Sequence, residues 1–259
     1  MRTPGGLIDP KERFTGRVDN YARFRPKYPS VILERLKKEI KLPRGSIIAD
    51  FGSGTGIFCE LLLAEKFRIV YCVEPNAEMR SAAEKRLNKY TGFRGVAGSA
   101  EQSGLPPNSL DLITVAQAFH WFDAEKTRRE FQRVLRPSGH VVLLWNDRRT
   151  EGACMSEYES IVIKYASDYS QISHKNISGN DLKEFFGTEG YKNFEIDNAQ
   201  HLDYDGLKGR VFSSSYMPRE NDPKAPQMLE ELKGLFKKHE KNGRVTFEYQ
   251  VTVFYGELT

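Results

Sequence analysis

The chain has 259 residues, 39% hydrophobic and 29% charged, with a formal net charge of +4 and a pI near 8.8. That length suits one large α/β domain, or a domain with a small appended cap. No run of roughly 18 apolar residues occurs, which argues against a membrane span, and basic residues dispersed among acids argue against a nucleic-acid footprint. The opening "MRTPGGLIDPKERF" lacks the apolar core of a secretory signal. Cys59, Cys72 and Cys154 are odd in number and without CxxC spacing. They read as free thiols in a reducing cytoplasm, with no metal site.

In chain order, a polar arm rich in arginine and aromatics ("FTGRVDNYARFRPKYPS") comes first, with Pro26 and Pro29 breaking any helix there. Ser30 can cap the next helix, "VILERLKKEI", which places Ile32, Leu33, Leu36 and Ile40 on one face. From residue 46 short apolar strands alternate with amphipathic helices. Strands are expected near 46–51, 68–73, 93–97, 110–115 and 139–145, and helices near 57–65, 76–90 and 124–135. Such alternation with short connections implies a parallel sheet covered on both faces. Beyond 150 the rhythm changes: helices near 152–167 and 179–187, a strand near 192–201, the polar stretch "GLKGRVFSSSYMP", and a helix near 224–240. The last segment, "RVTFEYQVTVFYGEL", alternates like a strand and fits an antiparallel addition at one sheet edge.

The segment "IIADFGSGTGIF", residues 47–58, carries the first chemical signal. Three glycines in five residues, between a buried strand and a helix start, mark a turn where ligands bind in open α/β sheets. Gly52, Gly54 and Gly56 give GxGxG, an imperfect dinucleotide fingerprint, and the GK[ST] ending of a phosphate loop is absent. Asp50, beside the turn, repels a pyrophosphate and suits a ligand with an ammonium group. Glu74 lies 18 residues after Gly56, where a carboxylate can hold both hydroxyls of a ribose. Ser99, Ala100 and Glu101 follow the third strand, at the edge that would meet an adenine, and "AQAFHWFD" (116–123) follows the fourth.

Taken together, "ADFGSGTG", "VEPNAEM", "GSAEQSGLP", "DLITVAQAFHWFD" and "VLRPSGHVVLLW" resemble the successive motifs of class I S-adenosylmethionine-dependent methyltransferases. With "YARFRPKYP" near the N-terminus, "AQAFHWFD" looks like the small-molecule, trans-aconitate methyltransferase-like branch. The resemblance covers about residues 14–147. It implies a Rossmann-like three-layer α/β sandwich with a seven-stranded, mostly parallel sheet whose last strand is antiparallel. An N-terminal arm and first helix (1–45, a possible lid), a cofactor-binding core (46–150) and a helical substrate cap with C-terminal strands (151–259) complete the expected organisation.

By the same resemblance S-adenosyl-L-methionine is the cofactor. Gly52, Ser53, Gly54 and Gly56 approach its methionine and ribose, Asp50 serves the ammonium, and Glu74 with Pro75 takes the ribose. Asn76 and Met79 flank the adenine, Ser99, Ala100 and Glu101 meet its amine, Gln117 lies under the sulfonium, and Ala116, Ala118 and Trp121 count among the cofactor contacts. The expected acceptor is a small organic molecule, a carboxylic acid among the candidates, with no nucleic-acid or membrane partner.

Several residues keep two readings. His120 follows the fourth strand and is either a general base or, with Trp121, a wall around the cofactor. Phe122 shields or stacks. Tyr21 and Arg25 are either a lid whose arginine reaches the cofactor carboxylate, or an arm anchored by an ordinary ion pair. Arg148 and Arg149 either bind an acidic acceptor or are solvated. Ser214 and Tyr216 either line a substrate pocket or form a turn. Two other functions stay open: an RNA-directed methyltransferase, disfavoured by "AQAF" where amino-directed enzymes carry an Asn/Asp-Pro-Pro-aromatic tetrad, and a non-catalytic cofactor-binding module.

Overall fold

The computed structural model describes residues 16–167, 169 and 177–259; the N-terminal stretch read for a secretory signal lies outside them. Strands β1 (Ile47–Phe51), β2 (Ile69–Val73), β3 (Phe93–Val96), β4 (Leu110–Ala116), β5 (Leu135–Arg148), β6 (Lys192–Leu202) and β7 (Val245–Gly256) form a seven-stranded sheet. Its order is β3-β2-β1-β4-β5-β7-β6. The strands from β1 to β5 pair in parallel. The last strand is antiparallel, as expected, but it is not at the edge: β7 lies between β5 and β6, antiparallel to both. Its inward residues Val251 and Val253 are thereby buried, which a free edge would leave half wet.

Helices cover both faces. On one side α2 (Val31–Glu39), α3 (Ile57–Ala64) and α4 (Ala77–Leu87) bring Leu33, Leu36, Phe58, Leu62 and Leu87 onto Ile48, Val70, Leu112 and Val142. On the other, α5 (Ala124–Val134) and α7 (Gly179–Phe186) set Phe131, Phe185 and Phe186 against Phe51, Ile113 and Val141. Ile48 and Ala49 fall in different layers because successive strand side chains point to opposite faces. Each large apolar side chain buried this way contributes about 1.5–3 kcal/mol. A third cluster joins α6 (Ala153–Tyr165), α8 (Tyr204–Phe212) and α9 (Ala225–His239) over Val245, Phe247 and Tyr249 of β7.

Four expectations need correction. A short helix, α1 (Val18–Phe24), forms in the arm just ahead of Pro26. It docks on α8, which itself occupies most of the stretch read as polar irregular chain. Gly209 makes the docking possible, since a Cβ there would fall 2.0 Å from the Phe24 ring. Ser30 precedes α2 in helical geometry and its side chain makes no capping bond. Finally, Cys59 and Cys72 are joined as a disulfide rather than free, because α3 packs directly onto β2 and faces the two cysteines across a Cα separation of 6.5 Å. Cys154 remains a free thiol, partly buried.

Candidate active site

The carboxyl ends of β1, β2 and β4 open into two adjoining cavities, of about 370 and 180 Å³. Tyr21, Gly52, Ala116, Gln117 and Trp121 line both and so form their junction.

Local geometry explains the glycine turn residue by residue. The Gly52 and Ser53 N–H groups donate to Val73 O at 2.9 and 3.2 Å, pinning the turn to the end of β2. All three glycines have φ between +56° and +78°, where a side chain is strained. Their surroundings differ. A Cβ at Gly52 would lie 2.5 Å from Ala118 Cβ, so the 116–122 segment needs that bare position. At Gly56, the residue before α3, a Cβ would meet Leu87 Cδ1 at 2.5 Å, so this glycine serves helix packing and lines neither cavity. Above Gly54 only Tyr21 comes near, at 4.0 Å, which leaves its backbone open to a ligand.

The larger cavity holds Gly54, Glu74, Pro75, Asn76 and Met79 on one side. Ser99, Ala100, Glu101, Ala118 and Phe122 face them. Glu74 receives N–H groups from Gly54 (2.9 Å, at Oε2) and Asn76 (2.8 Å, at Oε1). Each oxygen keeps a further lone pair for a hydroxyl. Burial raises its carboxyl pKa, against those backbone bonds and Arg80. Asn76 caps α4 by accepting from Met79 N at 3.0 Å.

The smaller, inner cavity contains Arg25, Asp50, Ser53, His120, Arg148 and Tyr216. Asp50 is almost wholly buried and accepts from Thr114 Oγ1 at 2.7 Å. Burial, with a smaller push from Glu74, raises its pKa to about 7 despite that bond. Cys59 Sγ lies 3.4 Å from Asp50 Oδ2. Gln117 sits at φ +61° with its N–H on Leu144 O and its Nε2 donating to Asn146 O at 2.9 Å. Left-handed backbone at a non-glycine residue is strain held by the surrounding fold. The His120 ring leans on Trp121 at 4.5 Å between centroids.

The arm roofs this inner space. Arg17 donates to the carbonyls of Phe212, Ser214 and Met217 at 2.7–3.0 Å, and Arg25 to Ser213 O at 2.9 Å while stacking over Tyr21. Gln200 and Asn198 of β6 hold Phe24 O and Lys27 O, each at 2.8 Å. These bonds anchor the arm by side chains that capture backbone carbonyls.

Three expected residues do not reach the cavities. Gly56 is one. Arg149 points outward to Asp197 at 2.6 Å. Ser214 is fully buried beneath the wall, accepting from Arg210 Nη1 at 2.9 Å, and its neighbour Ser215 lines the cavity instead. Arg148 lines it but is ion-paired to Glu159 and stacked on Tyr158. Sequence reasoning missed Tyr28, Asn146, Asp147, Tyr169 and Arg210, all lining the inner cavity. Asn146 and Asp147 stand directly before Arg148 and Arg149 in the sequence, whereas Arg210 gives no signal, because nothing in the sequence marks its helix.

A Rossmann-like sheet with a bipartite cleft at its carboxyl edge is the architecture these residues define. Residues 49–143 match the model of a methyltransferase domain. An uncharacterized methyltransferase-like protein of Schizosaccharomyces pombe is 27% identical over 241 residues, 93% of each chain. An uncharacterized methyltransferase of Mycobacterium bovis is 35% identical over 136 residues, so there the chain spans about half of the relative, 52% of each. In fold, a provisionally assigned type II methyltransferase from Anaeromyxobacter dehalogenans superposes with a TM-score of 0.68 at 21% identity, over 91% of this chain and 98% of that one. The chain is thus similar to methyltransferases over residues 49–143 and in its Rossmann-like fold. Among the described residues no helix is long and apolar enough to cross a membrane.

Proposed function

We propose that this enzyme transfers the methyl group of S-adenosyl-L-methionine to a small organic acid. The carrying observation is the pair of cavities meeting at Gly52 and Gln117, one walled by Glu74 and open backbone, the other small and lined by Arg25, Arg148 and Arg210 together with Asp50 and Asp147. The residues fit the donor: Glu74 for ribose hydroxyls, Asn76, Met79 and Ser99–Glu101 around an adenine, and Asp50 beside the cationic methionine end. Arg25 stands where the donor's carboxylate would fall. A related yeast protein is named a probable S-adenosylmethionine-dependent methyltransferase, which supports the same donor here.

The donor supplies an activated methyl carbon, so the chain has to align the acceptor and exclude water. Gln117, locked onto Asn146, fixes the junction wall. Tyr21 and Trp121 close it. A carboxylate acceptor is already anionic at neutral pH and needs no base, so His120 acts as a wall with Trp121. The roofed inner cavity of about 180 Å³ favours a small molecule over an RNA strand or a protein chain. The resemblance of "AQAFHWFD" and "YARFRPKYP" supports the trans-aconitate methyltransferase-like branch. A cytoplasmic location completes the reading; the Cys59–Cys72 disulfide pulls against it, and thiol trapping of the protein in cells decides the point.

Calorimetric titration with S-adenosylmethionine tests the donor, and S-adenosylhomocysteine release over a pool of small organic acids tests the acceptor. Binding no tighter than millimolar overturns the first. Turnover with tRNA but not with the acids overturns the second.

A further inference from the structure

The inner cavity has three guanidinium groups, and they are not equivalent. Arg148 is neutralised by Glu159. Arg25 and Arg210 have no carboxylate partner among the described residues. Arg210 is 5% exposed, and its bonds go to neutral oxygens: Nε to the Tyr249 hydroxyl at 3.3 Å and Nη1 to Ser214 Oγ at 2.9 Å. A guanidinium cannot shed its proton, so a buried one without a counter-ion carries an uncompensated desolvation cost. Arg17, comparably buried, shows the contrast: its guanidinium spans three backbone carbonyls. Arg25 also feels the neighbouring charge, since burial first and Arg210 second lower its pKa.

Position separates the two. Arg25 stacks on Tyr21, a junction residue beside the glycine turn, and so belongs with the donor. Arg210, like Arg25, lines only the inner cavity, but it projects from α8 on the cap side, with Tyr169, Ser215 and Tyr216 around the same space. The methyl group must arrive at the junction.

We infer that Arg210 is the specificity-determining residue for the acceptor, gripping an anionic group at the end remote from the methylated atom. This rests on the methyl-transfer reading above and adds a division of labour: Arg25 holds the donor, Arg210 selects the acceptor. An anion on Arg210 gains bidentate, charge-assisted bonds in a site shielded from water. A neutral molecule of the same length leaves the guanidinium unpaired.

The test uses the full-length enzyme saturated with S-adenosylhomocysteine and titrated with unbranched mono- and dicarboxylates of three to six carbons, each beside its neutral amide. The wild type binds at least one acid and rejects its amide by roughly tenfold or more, the ratio expected when a buried charge is left unpaired. Arg210→Gln erases that preference while its S-adenosylhomocysteine affinity stays within about twofold. Arg210→Lys, which keeps the charge, restores part of it and guards against a merely misfolded variant. Arg25→Gln does the opposite, weakening S-adenosylhomocysteine. The inference is overturned if no acid binds better than its amide, or if Arg210→Gln and Arg210→Lys weaken S-adenosylhomocysteine as strongly as Arg25→Gln does. Failure of the wild type to bind S-adenosylhomocysteine would instead overturn the donor reading itself.

Discussion

The two halves of the cleft are built by different means. The larger cavity is made by backbone turns and caps at successive strand ends, and its polar groups already have partners, as with Glu74 between Gly54 and Asn76. The inner cavity is made by side chains from the arm, from β5 and from α8, and two of its guanidiniums, Arg25 and Arg210, have no carboxylate partner among the described residues. A backbone-built half can keep one ligand while a side-chain-built half changes its ligand by substitution. A common donor and a variable acceptor would use that division.

The comparison can be broken most forcefully at Glu74. Replacing it by alanine removes the carboxylate that faces the larger cavity and frees two N–H groups, and donor affinity should fall roughly 100-fold, about 3 kcal/mol, by calorimetry. An unchanged affinity would mean that the larger cavity is not the donor half. Gly52→Ala comes next. Its Cβ meets Ala118 at 2.5 Å with φ at +65°, and unfolding in urea should show a loss of about 2–3 kcal/mol. Gly54→Ala, with open space above it, should lose only about 1 kcal/mol, the left-handed cost alone, and show its defect in donor binding.

The Asp50 carboxyl sharpens the contrast through pH. With its pKa near 7 in the unliganded protein, binding a cation beside it must expel a proton below that pH. Donor affinity should therefore rise roughly tenfold between about pH 6 and pH 8, and Asp50→Asn should flatten the curve. Stability of the unliganded protein runs the other way. The folded pKa lies above the unfolded one, so the contribution is full below about pH 4 and lost as pH rises through about 7. Melting temperatures of Asp50→Asn and wild type should accordingly diverge at alkaline pH, in the mutant's favour.

The smallest effects belong to His120 and Arg149. If His120 is a wall, His120→Phe lowers kcat by less than about fivefold and leaves its pH profile unmoved; a lost acid limb would make it a base. Arg149→Ala, outside both cavities, should change kcat/KM by less than about twofold.

Legibility in the sequence follows the same division. The donor half was readable because each of its parts is a short contiguous stretch at a strand end, where residue type and backbone need coincide: Gly54, Glu74, Asn76, Ser99 to Glu101. Even there the three glycines looked alike, and only the neighbours across the turn, Ala118 and Leu87, show that two of them serve the protein itself. The inner half was legible only in part: Arg25, Asp50, His120, Arg148 and Tyr216 stood out in the sequence, but Asn146, Asp147 and Arg210 join them through tertiary packing that no spacing encodes. Arg210 hid in "GLKGRVF", where two glycines masked a helix, although Gly209 is required there by the Phe24 ring. The Cys59–Cys72 contact was equally invisible, since it depends on which face α3 turns to β2.

Tyr21 borders both cavities, and its helix is strapped to α8 by Arg17 and Phe24. On the proposed reading, a ligand in either cavity therefore lies against the same strapped helix. If departure past this helix paces turnover, loosening the strap by Arg17→Ala should speed the steady state while the first catalytic cycle slows.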